Sequence, residues 1–230
     1  MNENLMRVRT MNGHGQSAEG AAVTSSFLRV ATDATDLNHQ ASAWLEKRVA
    51  LDGARSAFLP AGRTPESLYK LWESEKPSWL RELRLKQIDD VLNGPQTGVF
   101  RAFFEEHLPS FGSQMDWIER ADETADVAIL GLGLNGHIAF HEPHLPANFY
   151  GGCVDLSEIT RRMLGLTEQT WGITYGSATF MKCKSILMIA SGPSKRDVVK
   201  KLVARSTDLP ATSLLAHADF TLLVDHDAAT

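Results

Sequence analysis

Cysteine is nearly absent from this sequence: Cys153 and Cys183 are the only two among 230 residues. Two are too few for a disulfide framework, and they lack metal-ligand spacing, so a reducing compartment is expected. Long basic stretches are missing too. With 23 Lys and Arg against 28 Asp and Glu, the formal net charge is −5, and there is no Lys/Arg run with interleaved aromatics to follow a nucleic-acid backbone. Nor is there a run of about 18 apolar residues, or an N-terminal charged-then-apolar signal pattern. These absences predict a cytoplasmic protein without nucleic-acid or membrane partners. What is present is ordinary globular material, 43% hydrophobic and 22% charged, long enough to bury a substantial core.

The first 25 residues are rich in Gly, Asn and Ser with little apolar periodicity, which predicts a flexible leader over 1–25 and a single α/β domain over 26–230. Residues 27–31 can form a strand. Leu37, Ala41, Leu45 and Val49 then recur at steps of four and predict an amphipathic helix over 33–50. Further apolar strands are expected at 57–59, 83–90, 127–130, 171–175, 185–190 and 220–224. Helices are expected from 65, 98, 177 and 193, with 155–163 as helix or lid. The aromatic face of the helix over 98–108 (Val99, Phe100, Phe103, Phe104, Leu108) is assigned to the core. Strands and helices alternate along the whole chain, so the expected fold is an open, doubly wound, mostly parallel sheet between helix layers.

Two strand-to-helix junctions carry the chemistry. In the first, Leu59-Pro60-Ala61-Gly62-Arg63-Thr64-Pro65 leads into a helix, with Thr64 expected as its cap and Pro65 as its first residue. Free N–H groups there, the helix dipole, the Thr64 hydroxyl and the Arg63 charge suit an anion such as phosphate. The second, Gly131-Leu132-Gly133-Leu134-Asn135-Gly136-His137, follows a buried strand and continues to Glu142-Pro143, and ionisable groups on such a turn are where open α/β sheets place ligands. Asp89 and Asp90 are expected to end a strand at the same sheet edge, although an isolated Asp pair before a turn is more often a solvated loop. Lys195 stands at a helix start, an unfavourable place for a cation unless it faces an anion.

The second junction resembles the signature of the glucosamine-6-phosphate deaminase/isomerase family, which is related to galactosamine-6-phosphate isomerases and 6-phosphogluconolactonases. Residues 59–65, 87–90, 187–195, 210–217 and the pair Val224-Asp225 resemble other family segments in the same order. The form His137-Ile138-Ala139-Phe140-His141-Glu142-Pro143 is closer to the deaminase branch than to the lactonase branch.

The resemblance implies an aldose–ketose isomerisation of an amino sugar 6-phosphate with loss of ammonia, using no metal and no organic cofactor, in a monomer or homo-oligomer. It places ring opening on His137, orientation of that His on Asn135 and Glu142, and transfer of the C2 proton to C1 on Asp89. Contacts to the sugar phosphate fall on Ala61, Gly62, Arg63, Thr64, Gly133 and Lys195. Three departures stand out. Asn135 replaces an Asp common in deaminases, so the His137 pKa is expected to be raised less. Arg63 replaces a small residue, and an Asn-x-Arg-Phe element that supplies a phosphate-binding Arg is missing from 163–170, so Arg63 is expected to take over part of its charge. The stretch after Pro143 is also changed. Lactone hydrolysis and non-catalytic sugar-phosphate binding are the alternatives. His141 and His217 are weaker candidates, the latter more suited to a structural role.

Overall fold

Apolar strands without polar alternation need both faces covered, and helix layers on either side of a parallel sheet provide that cover. The computed structural model describes residues 26–230; the leader expected over 1–25 lies outside the described residues. In chain order the strands are β1 (Leu28–Ala31), β2 (Ser56–Leu59), β3 (Arg84–Gln87), β4 (Asp89–Val91), β5 (Met115–Asp116), β6 (Val127–Gly131), β7 (Gly151–Asp155), β8 (Trp171–Tyr175), β9 (Ser185–Ala190) and β10 (Phe220–Asp225). Seven form a parallel sheet in the order β1-β10-β9-β6-β2-β3-β5. The helices are α1 (Ala34–Asp52), α2 (Arg63–Glu75), α3 (Val99–His107), α4 (Glu158–Met163), α5 (Ser177–Phe180), α6 (Arg196–Val203) and α7 (His226–Ala229). None of the described helices is long and apolar enough to cross a membrane.

Side chains alternate across the strands and divide the core in two. Ala57, Leu59, Val127, Ile129, Leu187 and Ile189 pack with the Leu37, Ala41, Leu45 and Val49 stripe of α1 and with Leu68, Tyr69 and Trp72 of α2. Phe58, Ala128, Leu130, Ile186 and Met188 face the other way, towards Phe180, Val198, Val199 and Leu202. Burying each such side chain stabilises the fold by roughly 1.5–3 kcal/mol. The β9 and β10 strands, both interior to the sheet, are buried along their whole length.

The strand order sets the site. From β2 the chain winds outward through β3 to β5, then returns to β6 beside β2 and winds the other way through β9 and β10. The reversal between β2 and β6 leaves a crevice at their C-terminal ends, the position where open α/β sheets bind ligands. Both glycine junctions open there, 60–64 after β2 and 131–136 after β6.

Two local expectations are corrected. The strand expected over 83–90 breaks at Ile88: β3 ends at Gln87, and β4 leaves the parallel sheet to pair antiparallel with β8, which pairs in turn with β7. The β7 strand, with its Gly-Gly start, was not expected at all. The cause of the break is visible in Asp90, which accepts hydrogen bonds from the N–H groups of Phe100 (3.0 Å) and Arg101 (3.1 Å) at the start of α3 and from Gln87 Nε2 (2.9 Å). The Asp pair is therefore buried rather than a solvated loop. Thr64 does not cap α2. The helix begins two residues earlier than expected, at Arg63, after Gly62 turns the chain at φ +108°, and no side chain caps it. Pro65 then occupies the third helical position, where its missing N–H costs no intrahelical bond. The apolar face of α3 is core as expected: Phe104 and Leu108 are fully buried, Phe103 packs against the same cluster, and Val99 and Phe100 pack on the cluster that holds Phe140, where Phe100 stacks on Phe140 at 5.5 Å and ties the helix to the second glycine junction.

Candidate active site

The turn after β6 is built around its glycines. A Cβ on Gly133 would lie 2.3–2.6 Å from the His137 imidazole, so the ring rests directly on this residue's backbone. Gly133→Ala is expected to displace the imidazole, lowering kcat by at least tenfold while leaving the melting temperature within a few degrees, as steady-state rates and thermal melts would check. Gly136 adopts φ +79° and bonds through its carbonyl to the Ala211 N–H (3.1 Å), anchoring the turn to the 210–216 segment.

Asn135 is the bridge of this turn. Its Oδ1 accepts from the His137 backbone N–H (3.2 Å), and its Nδ2 donates to Glu142 Oε2 (3.4 Å). An Asp here could not donate to Glu142, so the amide explains how this chain accommodates the exchange. Glu142 is fully buried, and its other oxygen accepts from the Ser157 Oγ (3.0 Å) and N–H (3.4 Å) and from the Thr160 hydroxyl. Ser157 also caps α4 through the Thr160 N–H, so the short helix over the site is tied to this carboxylate. Neither Ser157 nor Thr160 was picked out from the sequence; the Ser at a helix start was the available signal.

These contacts correct one expectation. Asn135 and Glu142 hold the backbone around His137, and no hydrogen bond from either reaches the ring, whose Nδ1 is buried without a partner among the described residues. Burial pushes the His137 pKa down, the Glu142 charge raises it and the Lys195 charge lowers it again. The net direction is below the ordinary histidine value rather than above it, so the ring is neutral at pH 7.

Asp89 is linked to the segment after His137 through the small sheet. It pairs with Thr174 of β8, and the Thr174 hydroxyl accepts from the Phe140 N–H (3.1 Å), three residues beyond His137. The two neighbouring carboxylates differ sharply. Asp90 is saturated by backbone and amide donors, whereas the Asp89 carboxylate accepts no hydrogen bond among the described residues. Burial, reinforced by the Asp90 charge, pushes the Asp89 pKa well above the usual carboxylate range.

The residues expected to hold the anion follow two strands, β2 and β9. Arg63 and Thr64 line a cavity that Ser191, just beyond β9, also lines. The turn at 191–195 is held by buried Asp225, which accepts from the Ser191 hydroxyl and from the N–H groups of Gly192 (3.0 Å) and Ala228 (2.9 Å). That turn delivers Lys195, whose ammonium donates to the Leu132 carbonyl beside Gly133. Partial burial lowers the Lys195 pKa. Ala61 is half-buried behind this loop and packs on the core.

His141 does not reach the site as a contact residue. It is buried, and its Nδ1 accepts the Ser177 N–H (3.0 Å). His217 has the structural role favoured by its position, with Nε2 against the Cys183 carbonyl (2.8 Å) and Nδ1 accepting from the Asp219 N–H (3.1 Å).

The chain is similar to known proteins in sequence and in fold. Residues 101–223 match the family model for glucosamine-6-phosphate isomerases/6-phosphogluconolactonase. A glucosamine-6-phosphate deaminase of Exiguobacterium sibiricum is 30% identical, the match covering 75% of this chain and 79% of that protein. One of Enterococcus faecalis is 29% identical over 78% of this chain and 88% of that protein. Among solved structures, a monomeric glucosamine-6-phosphate deaminase superposes with a TM-score of 0.73 at 26% identity, covering 88% of this chain and 98% of the other. The 6-phosphogluconolactonase of Trypanosoma brucei gives a TM-score of 0.70 at 17% identity, over 89% and 98% of the two chains, a likeness of fold. With the fold, the order of the motifs and these relatives in agreement, the chain belongs to the glucosamine-6-phosphate isomerase/6-phosphogluconolactonase family.

Proposed function

We propose that this chain is an amino-sugar-6-phosphate deaminase that converts glucosamine 6-phosphate, or its galacto epimer, to the ketose 6-phosphate and ammonia. The observation that carries the reading is the difference between two adjacent buried carboxylates: Asp90 is consumed by structure, and Asp89 is left unbonded with a raised pKa, on a strand tied through Thr174 to the His137 turn. A carboxylate of raised proton affinity is suited to take a proton from carbon and return it near neutral pH. A lactonase has less use for it.

In this reading the phosphate rests on the uncapped N–H groups of α2, on Arg63 and Thr64, and on Lys195, which would turn from the Leu132 carbonyl towards the anion. His137, neutral and stacked on Gly133, moves the proton that opens the pyranose ring. Asp89 then removes the C2 proton. The C2–H electron pair forms an enolamine, C1 takes up a proton, and the resulting C2 imine adds water and expels ammonia. Asp89 must be ionised to act, so with its raised pKa it is expected to set the acid limb of kcat/KM above the ordinary carboxylate range, while His137 stays neutral through the ordinary histidine range and adds no loss there.

Rates of ammonium release from glucosamine 6-phosphate and galactosamine 6-phosphate, beside hydrolysis of 6-phosphogluconolactone, test the assignment. Deamination of at least one amino sugar phosphate with negligible lactone hydrolysis is the expected result. Lactone hydrolysis without ammonium from either sugar would replace this reading with the lactonase one.

A further inference from the structure

Between the beginnings of α1 and α2 lies a cavity of about 140 Å³ whose polar lining is Asn38, Arg63, Thr64, Ser67 and Ser191. Its position follows from the sheet: the cavity opens where α1 leaves β1, α2 leaves β2 and the 191–195 turn leaves β9. Two features of its wall have no structural explanation. Asn38 belongs to the buried stripe of α1, is only 8% exposed, and its Oδ1 has no hydrogen-bond partner. A buried amide in that condition is costly, and Leu or Ala would serve the packing of α1 better. Arg63 makes no hydrogen bond or ion pair among the described residues, and Glu66, the carboxylate nearest it along the helix, is engaged by Lys70 at 2.5 Å.

The remaining groups suit an oxyanion. The first N–H groups of α2 are uncapped, and Thr64 and Ser67 bring hydroxyls that can donate. Ser191 donates to Asp225, whose charge is shared among three protein donors and so is already compensated. The amide of Asn38 presents either its oxygen or its nitrogen by a half-turn about its last bond, so its donor end is available to an acceptor in the cavity.

We propose that this cavity is an extension of the phosphate site, in which Arg63 supplies the charge and Asn38 reaches from α1 to the outer phosphate oxygens, making Asn38 a specificity residue for phosphorylated over unphosphorylated sugars. This rests on the sugar-phosphate reading given above, and it brings in a helix that neither glycine junction contains. It also accounts for the guanidinium of Arg63 at a position where a small residue would suffice to start the helix.

The test is calorimetric titration of inorganic phosphate into the parent protein and into Asn38→Asp, Asn38→Leu and Arg63→Ala, with far-UV circular dichroism as the check of folding. Asn38→Asp and Arg63→Ala are each expected to weaken phosphate at least tenfold. For amino sugar phosphate they raise KM by a similar factor and leave kcat within about twofold. Phosphate affinity within twofold of the parent's in folded Asn38→Asp or Asn38→Leu would overturn the role of Asn38. Unchanged affinity in Arg63→Ala, which alters only an exposed helix start, would overturn the cavity as a phosphate site even if both Asn38 variants failed to fold. Because binding is read without turnover, weakened phosphate in the variants together with no ammonium from any amino sugar would retain the subsite and remove the deaminase.

Discussion

Replacing Asp89 by Asn is expected to lower kcat by roughly 10²–10⁴, the usual loss when a positioned general base is removed, and at the same time to raise the melting temperature. The two effects have one cause. An Asp in the unfolded chain titrates near 3.9, whereas burial raises the Asp89 value well above that in the folded protein. Between those values the native state binds more protons than the unfolded state, so stability falls as the pH rises through that window and the loss persists above it. Asn has no such penalty. The melting temperature of Asp89→Asn should therefore exceed the parent's by a margin that is smallest below about pH 4 and grows as pH rises, levelling off above the folded pKa. Thermal melts at several pH values, beside steady-state rates, check both halves. A variant that lost activity and stability together would mark Asp89 as a structural residue like Asp90.

Glu142→Ala is expected to be the most destabilising single change at the site. Three side chains and one backbone N–H bond this fully buried carboxylate, from Asn135, Ser157 and Thr160. Leaving the buried Thr160 hydroxyl and three part-buried donors without their acceptor, with a cavity in addition, amounts to a loss of about 3 kcal/mol. The α4 helix should loosen first, because its capping Ser157 is fixed to this group. Denaturant unfolding measures the loss. Glu142→Gln preserves the volume and separates the electrostatic part: removing the charge that raises the His137 pKa should move the His137 imidazole titration, read by NMR, to more acid pH. An unmoved His137 titration would show that Glu142 does not act on the ring through its charge.

The parts of this molecule that repeat with a period were readable from the sequence. The α1 stripe at Leu37, Ala41, Leu45 and Val49 and the unbroken apolar run of β9 match the structure because burial on one helix face, or on both faces of a strand, leaves a pattern within a few residues of chain. The His137 turn was readable for a different reason, its glycines being required by close approach. What escaped depends on contacts between distant segments. The break at Ile88 exists because Asp90 binds the start of α3 some ten residues on, and local pattern cannot distinguish a strand end from a strand that changes sheets. The partners of Glu142 come from 157 and 160, in a stretch with weak periodicity. Thr64 as a cap was a sound local inference that lost to Gly62, whose positive φ let the helix start two residues sooner. The lowered His137 pKa could not be foreseen, because it is set first by burial of the ring in the fold rather than by the choice of Asn or Asp at 135.

The most direct test of the account is a stoichiometric one: the purified chain incubated with glucosamine 6-phosphate, with ammonium and ketose 6-phosphate measured together in the parent, Asp89→Asn and His137→Ala. One ammonium per ketose phosphate in the parent, and at least a hundredfold slower formation of both in each variant, is the predicted result. Ketose phosphate without ammonium, or equal ammonium from the parent and the Asp89 variant, would contradict it.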